Sequence, residues 1–85
     1  MVADHKIIKH QIAIAKGQLD GVSKMIDEDA YCIDVSNQLL ATISILKKTN
    51  QTILTEHLSH CIKNAKNGEE LDSKIKEISN VLKRM

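Results

Sequence analysis

The chain has 85 residues, enough for one small domain (residues 1–85) but too few to bury a large core alone, so we expect it to oligomerise. It contains no Pro, Trp or Phe, one Tyr and three Gly; because a β-rich fold is typically richer in aromatic and turn residues, this composition favours an all-α fold. The formal net charge of +1 excludes a strongly basic or acidic protein, although a basic patch can exist within a balanced total.

A first helix is predicted from apolar residues spaced alternately four and three apart, which form one stripe along a helix. The stripe consists of Ile8, Ile12, Ala15, Leu19, Val22 and Ile26. Gly17 and Gly21 weaken this helix by roughly 1 kcal/mol each relative to Ala and indicate close packing against another backbone. The acidic run after Ile26 ends the pattern, and we predict Asp29 as the N-cap of the next helix.

A second helix is predicted from Ala30 to Lys66, a range without Gly or Pro. Its stripe consists of Val35, Leu39, Ile43, Leu46, Ile53, Leu54, Leu58 and Ile62. Such a helix is roughly 50 Å long, whereas a compact chain of this length has a radius of gyration of about 12 Å. The helix must therefore project with its apolar stripe exposed, and the simplest partner is a second copy in an antiparallel helical bundle with two-fold symmetry.

The third helix follows a break at Asn67 and Gly68, and we predict Gly68 at the C′ position of the second helix. Glu69 and Glu70 favour a new helix start through the helix dipole. Leu71, Ile75, Ile78 and Leu82 form the apolar face of this helix.

Neither a signal peptide nor a transmembrane segment is predicted, because charged residues and histidines interrupt the first ten residues and no apolar run approaches about 20 residues. We expect a cytoplasmic location without membrane association. In that compartment the two cysteines, Cys32 and Cys61, are better explained as metal ligands or redox groups than as a disulfide.

Cys32, His57 and Cys61 are the residues with the most informative chemistry. His57 and Cys61 are four residues apart, so they lie on one side of the second helix. Cys32 lies 25 residues before His57, or about 37 Å along a continuous helix. One chain cannot bring the three together, but an antiparallel dimer can. The alternative is that the cysteines are small buried apolar residues, since H-x-x-x-C alone is a weak motif.

No catalytic Ser/His/Asp or Cys/His arrangement, no paired carboxylates and no phosphate-binding loop stand out, so we expect neither an enzyme nor a small-molecule substrate. His5, His10 and His60 are interpreted as surface histidines.

Three motifs together resemble those of the copper-sensitive operon repressor family (CsoR/RcnR/FrmR), and the resemblance extends from about Gln11 to Leu82. These motifs are G-Q-L-D-G-V-x-K-M-I at residues 17–26, D-A-Y-C-I-D-V at residues 29–35 and H-L-x-x-C at residues 57–61. The resemblance implies three-helix protomers that form antiparallel dimers and then dimer-of-dimers tetramers. It also implies operator DNA binding without metal, and DNA release when Cu(I) binds.

The ligands of the family's copper sensors correspond to Cys32 from one subunit with His57 and Cys61 from the other. The resemblance further implies that Tyr31 and Glu77 surround this site and tune it. Nickel and cobalt sensors of the family differ by a His at position 61, and persulfide sensors lack the His at position 57. The set found here is therefore typical of copper sensors, and two thiolates with one imidazole suit Cu(I) by ligand preference.

DNA contacts are predicted for basic residues of the first two helices and one Gln. They are Lys9, Gln11, Lys16, Lys47 and Lys48. Gln11 stands where relatives carry an Arg, and Lys48 replaces another Arg; because Lys lacks the bidentate geometry of Arg, we expect weak or strongly salt-dependent DNA binding. The alternatives are a thiol or persulfide sensor, a nickel or zinc sensor of the same family, and a copper-binding helical dimer without a DNA function.

Overall fold

The computed structural model describes residues 1–85 and contains three helices and no strand, which confirms the all-α prediction. They are α1 (His5–Asp27), α2 (Cys32–Asn64) and α3 (Gly68–Leu82). Asp4 caps α1, because its side chain accepts a hydrogen bond of 2.9 Å from the Lys6 N–H. The long central helix is confirmed, although it is shorter than predicted by two residues at each end.

The turn between α1 and α2 is built differently from the prediction that Asp29 caps α2. Asp29 has a φ of 52°, in the left-handed region that Asp tolerates better than most residues, and it reverses the chain direction. The Ala30 N–H then donates to the Met25 carbonyl at 2.9 Å. The N-cap of α2 is Tyr31, which makes no side-chain capping bond. The prediction for Asp29 was wrong because this residue is needed for the turn itself.

The connection from α2 to α3 also corrects a prediction, since Gly68 is the first residue of α3 and does not terminate α2. Asn67 is the N-cap, and its side chain accepts a 2.8 Å hydrogen bond from the Glu70 N–H. The Glu70 carboxylate in turn accepts one from the Lys66 N–H at 3.1 Å. Glu69 and Glu70 lie in the first turn of α3, as predicted.

The interface between antiparallel α1 and α2 contains most of the small core. From α1 the buried residues are Ile8, Ala15 and Val22, spaced seven apart. From α2 they are Thr42 and Thr49, also seven apart. The Thr42 hydroxyl lies 2.9 Å from Gln18 Oε1 and 3.2 Å from the Gln38 carbonyl, so a polar contact joins the two helices inside this interface.

The protomer is elongated, with a Cα radius of gyration of 17.2 Å and a longest dimension of 57 Å. Only 7 of the 85 residues are buried, so the protomer leaves much of its apolar surface for a partner to cover. On α1 the exposed apolar residues include Ile12, Leu19 and Ile26. A methyl group added at Gly17 or Gly21 would meet no atom within 4 Å, so the close backbone packing predicted for these glycines does not occur within the protomer.

None of the three helices has both the length and the hydropathy that a membrane span requires.

Candidate metal centre

His57 and Cys61 form the best-defined polar pair on the surface of α2. The His57 Nε2 and Cys61 Sγ atoms are 3.6 Å apart. Both residues are half-buried, and Cys61 is a free thiol. One turn of continuous helix therefore holds an imidazole nitrogen and a sulfur atom side by side, as their spacing in the sequence predicted.

This separation fits two ligands of a single metal ion. With the bond lengths known for zinc, about 2.3 Å to sulfur and about 2.0 Å to nitrogen, two ligands of one ion lie about 3.5–3.7 Å apart at tetrahedral to trigonal angles. The observed 3.6 Å lies within that range. The pair is thus placed to share an ion without rearrangement of α2.

Cys32 lies at the opposite end of the same helix and is exposed. It precedes Cys61 by 29 residues, which correspond to about 43 Å along the helix axis. No three His, Cys, Asp or Glu side chains within the protomer are close enough to hold a metal ion. The protomer therefore brings two of the three predicted ligands together, and the complete set stays a prediction.

Tyr31 and Glu77 lie near opposite ends of α2. Tyr31 precedes Cys32 directly and is exposed. Glu77 belongs to α3 and lines the same cavity as His57. Its carboxylate forms an exposed ion pair with Lys74 at 3.8 Å, the only salt bridge in the protomer. Within the protomer, Tyr31 is therefore adjacent to Cys32, whereas Glu77 shares a cavity with His57.

Four of the five residues predicted to bind DNA are exposed lysines. They are Lys9, Lys16, Lys47 and Lys48. None of them is engaged in a salt bridge. Gln11 differs, because it is half-buried and its Oε1 atom is buried without a hydrogen-bond partner. A DNA contact by Gln11 stays a prediction that requires its side chain to turn outward.

The sequence did not predict that the chain before α1 reaches the metal pair. Met1 and Val2 line the cavity that contains His57 and Glu77, together with His60. His60 itself is exposed, as predicted, and its Nδ1 lies 3.3 Å from the Asn64 Nδ2. Ala3 is buried as well, but the apolar run of residues 1–3 was too short a signal to interpret.

Comparisons with known proteins agree on one family. A family model described as "Metal-sensitive transcriptional repressor" matches residues 4–84. The copper-sensing transcriptional repressor RicR of Mycobacterium tuberculosis is 42% identical over 72 residues, which cover 82% of this chain and 75% of RicR. Several other mycobacterial copper-sensing repressors match this chain over only 44% to 55% of their own length.

Solved structures give the same fold. The copper-sensing repressor CsoR with Cu(I), from Geobacillus thermodenitrificans, superposes with a TM-score of 0.80 at 28% identity, covering 93% of this chain and 82% of that one. The nickel-responsive regulator InrS also superposes with a TM-score of 0.80, over 99% of this chain and 94% of that one. Because InrS is only 23% identical, its likeness shows the fold alone.

Proposed function

The chain belongs to the metal-sensitive transcriptional repressor family, and from this premise we propose that it is a copper(I)-responsive repressor of copper-resistance genes. It binds operator DNA without metal and releases the DNA when Cu(I) binds. Membership of this family confirms the resemblance drawn from the sequence. Because the family consists of transcriptional repressors, the prediction that the chain is not an enzyme is confirmed as well.

The pair of His57 and Cys61, with donor atoms 3.6 Å apart, is the observation that carries the proposal. Adding Cys32 from a second copy gives two thiolates and one imidazole, a soft ligand set that favours Cu(I). A structural zinc site takes four ligands, and the protomer offers no third His, Cys or carboxylate at the pair. The relative RicR and the solved CsoR, both copper-sensing by name, support the same choice.

A second, antiparallel copy places Cys32 at the pair. At about 100° per residue, His57 and Cys61 both lie within about 20° of the angular position of Cys32 on α2, so all three share one face. Leu39, Ile43 and Leu46 lie on that face between them and are 40%, 46% and 43% exposed. Cys32 lies 14 residues before Leu46, and position 60 lies 14 residues after it. A two-fold axis near Leu46 therefore sets Cys32 opposite the interval between His57 and Cys61 of the partner.

The exposed apolar residues of α1 extend this surface and support a four-helix bundle. Around the axis of α1, the exposed Ile12, Leu19 and Ile26 are rotated away from the buried residues of that helix. Around the axis of α2, Leu39 and Ile43 are rotated away from the buried threonines in the same direction. Because the helices are antiparallel, displacements of the same sense fall on the same side of the hairpin. Pairing two hairpins through this side gives an antiparallel four-helix bundle with two symmetric metal sites, and two such dimers form the tetramer that the family resemblance implies.

Tyr31 and Glu77 meet around the same site in this dimer. Tyr31 is attached to Cys32 of one protomer, and Glu77 lines the same cavity as His57 of the other. A carboxylate near a ligating imidazole fixes the orientation of the ring and raises its basicity. We therefore propose that these two residues tune the site, and that Glu77 links it to α3.

DNA binding is assigned to the exposed lysines of α1 and α2. Lys9 and Lys16 are seven residues apart, about two turns along one exposed face of α1, while Lys47 and Lys48 lie near the middle of α2. Because no carboxylate pairs with these lysines, their ammonium groups are free to neutralise DNA phosphates. We therefore expect the affinity for DNA to fall steeply as the salt concentration rises. Gln11 joins this surface only if it leaves its half-buried position. A protein that acts on operator DNA resides in the cytoplasm, and we take residues 1–85 as one domain for both activities.

Reciprocal linkage couples the two activities: if Cu(I) weakens DNA binding by a given factor, DNA weakens Cu(I) binding by the same factor. Bound Cu(I) supplies a bond between Cys32 of one protomer and the His57–Cys61 pair of the other. His57 binds the metal as a neutral imidazole. Through Glu77, a change in the orientation of the His57 ring changes the position of α3. The dimer in which Cu(I) links the two protomers has a lower affinity for DNA than the metal-free dimer.

The test is an anaerobic Cu(I) titration against a competing chelator, followed by gel shifts with the DNA upstream of the protein's own gene. We expect one tightly bound Cu(I) per protomer, loss of this binding in Cys32→Ala, and DNA binding that disappears on Cu(I) addition. Failure of the wild type to compete for Cu(I) contradicts the copper proposal and leaves a persulfide or nickel sensor, to be examined by mass spectrometry after sulfide treatment and by Ni(II) titration. Cu(I) binding without a gel shift at low salt leaves a helical dimer without a DNA function.

A further inference from the structure

Two polar layers cross the interface between α1 and α2, and they are equivalent in position. In the first layer the Thr42 hydroxyl donates to Gln18 Oε1 at 2.9 Å. Gln11 precedes Gln18 by seven residues, and Thr49 follows Thr42 by seven residues. Because the two helices are antiparallel, the same seven-residue step along each of them, about 10.5 Å, brings Gln11 to the level of Thr49. The fold therefore places a second Gln opposite a second Thr.

No hydrogen bond joins the two residues of the second layer. Thr49 is 3% exposed, and its hydroxyl donates to the Ile45 carbonyl of its own helix at 2.9 Å. Gln11 Oε1 is buried without a donor, and it is the only buried side-chain nitrogen or oxygen of the protomer in this condition. A buried acceptor without a donor lowers the stability of the fold. Such local costs are typical of functional positions, and here the donor that would remove the cost lies on the facing helix.

The first layer shows that one threonine hydroxyl can serve two acceptors. The Thr42 hydroxyl lies 2.9 Å from Gln18 Oε1 and 3.2 Å from the carbonyl of Gln38, four residues earlier in its own helix. Ile45 stands in the same relation to Thr49. The Thr49 hydroxyl can therefore bond to an approaching amide oxygen of α1 without first leaving its own helix.

The second layer lies among the lysines of the proposed DNA surface. Gln11 stands between Lys9 and Lys16 in α1, and Thr49 directly follows Lys48 in α2. The Gln11 side chain cannot turn outward to DNA and bond to Thr49 inside the hairpin at the same time. A hydrogen bond from Thr49 therefore competes with a DNA contact by Gln11.

We propose that Gln11 and Thr49 form a latch, open in the metal-free protein and closed in the Cu(I)-bound protein. In the open state no hydrogen bond holds Gln11 Oε1, so the side chain is able to leave for DNA. In the closed state the Thr49 hydroxyl donates to Gln11 Oε1 and retains the side chain inside the hairpin. Thr49 is a positioning residue, because it is buried and acts only through Gln11. This inference rests on the proposed function, in which the Cu(I)-bound state has the lower affinity for DNA, and adds a residue that withdraws a DNA contact.

The first experiment tests the open layer by urea denaturation of the metal-free protein at one protomer concentration. Gln11→Met replaces the amide by an apolar side chain of similar shape, and we expect the equilibrium constant for unfolding to fall by about 10-fold. The matched control is Gln18→Met, which removes an acceptor that is in use, so its unfolding constant should rise. An unfolding constant of Gln11→Met equal to or above that of the wild type overturns the latch.

The second experiment measures, by fluorescence anisotropy, the affinity for the DNA upstream of the protein's own gene with and without Cu(I). Thr49→Val keeps the shape of the side chain but lacks the hydroxyl. We expect it to bind DNA in the metal-free state and one Cu(I) per protomer as the wild type does. The factor by which Cu(I) weakens DNA binding should fall by about 5-fold, the effect of losing one ordinary hydrogen bond.

Two further variants show whether the effect belongs to the hydroxyl of Thr49. Thr49→Ser restores a hydroxyl and should restore the wild-type factor. Thr52→Val is the matched control, because the Thr52 hydroxyl bonds only to the Lys48 carbonyl of its own helix, and it should keep the wild-type factor. An equal loss in Thr52→Val overturns the latch, since the effect would then not depend on the layer with Gln11.

The remaining outcomes separate the latch from the proposed function. A wild-type factor in Thr49→Val overturns the latch and leaves the proposed function intact. Failure of Thr49→Val to fold without metal also overturns the latch, because the open state does not use this hydroxyl between the helices. A wild type whose DNA affinity does not fall on Cu(I) addition overturns both proposals.

Discussion

Mixing two inactive variants tests the intersubunit metal site most directly. In an antiparallel dimer, each site takes Cys32 from one protomer and His57 with Cys61 from the other, so Cys32→Ala and Cys61→Ala each remove both sites of a homodimer. In a heterodimer of the two variants, one site carries both substitutions and the other site carries neither, so the second site keeps all three ligands. Because Cys32 and Cys61 are about 43 Å apart along one rigid helix, no site within a single chain has this property.

The expected recovery follows from counting. Random reassociation of equal amounts of the two variants makes about half of the dimers heterodimers, each with one intact site of two. The mixture should therefore bind about one quarter of the wild-type Cu(I). The assay is an anaerobic titration with a competing chelator, after joint unfolding and refolding of the variants. The control mixes Cys61→Ala with Cys61→Ser, a combination in which no dimer contains an intact site.

The refuting result is equally specific. If the Cys32→Ala and Cys61→Ala mixture binds no more Cu(I) than the control mixture, while mass spectrometry shows that heterodimers have formed, the site does not lie between subunits. Strong binding by unmixed Cys32→Ala would refute the reasoning in another way, since Cys32 would then not be a ligand.

Three further predictions concern the coupling, the DNA surface and the core. His57→Ala should still bind Cu(I) through the two thiolates but lose most of the Cu(I)-induced release of DNA. The release is measured by fluorescence anisotropy with labelled operator DNA. The control is His60→Ala, at an exposed position less than one helical turn away, which should behave as the wild type. Lys16→Ala should reduce the slope of log K against log salt by about 1, because one phosphate contact is lost, whereas Lys83→Ala at the end of α3 should leave the slope unchanged. Thr42→Val should lower the free energy of unfolding by about 1 kcal/mol, since Gln18 Oε1 loses its donor, as measured by urea denaturation.

Each of these has an outcome that contradicts it. Normal DNA release by His57→Ala would mean that the imidazole does not transmit the signal. A salt slope in Lys16→Ala equal to that of the wild type would remove this residue from the DNA surface. For the core, Thr52→Val is the control, because the Thr52 hydroxyl bonds only to the Lys48 carbonyl of its own helix. If Thr42→Val is no less stable than Thr52→Val, the contact between α1 and α2 does not contribute to stability.

The sequence was sufficient wherever the decisive interaction is local. The 3.6-residue period and the absence of Pro predicted three helices, including the long α2, because helical hydrogen bonds join residues only four apart. The same period placed His57 beside Cys61, and the 3.6 Å distance between their donor atoms agrees with it. The prediction of a partner copy also rests on local information, since the length of α2 exceeds what a protomer of this size can cover.

The tertiary structure decided what depends on residues distant in the chain. An apolar stripe marks a face of a helix but not which part of it a neighbour covers: α1 buries Ile8, Ala15 and Val22, whereas Ile12 and Leu19 of the same stripe stay exposed. Asp29 and Gly68 were given wrong roles, because several residues at each helix end can cap or turn and the path of the chain selects among them. The cavity that Met1 and Val2 share with His57 and Glu77 joins residues far apart in the sequence, so only the folded chain shows it.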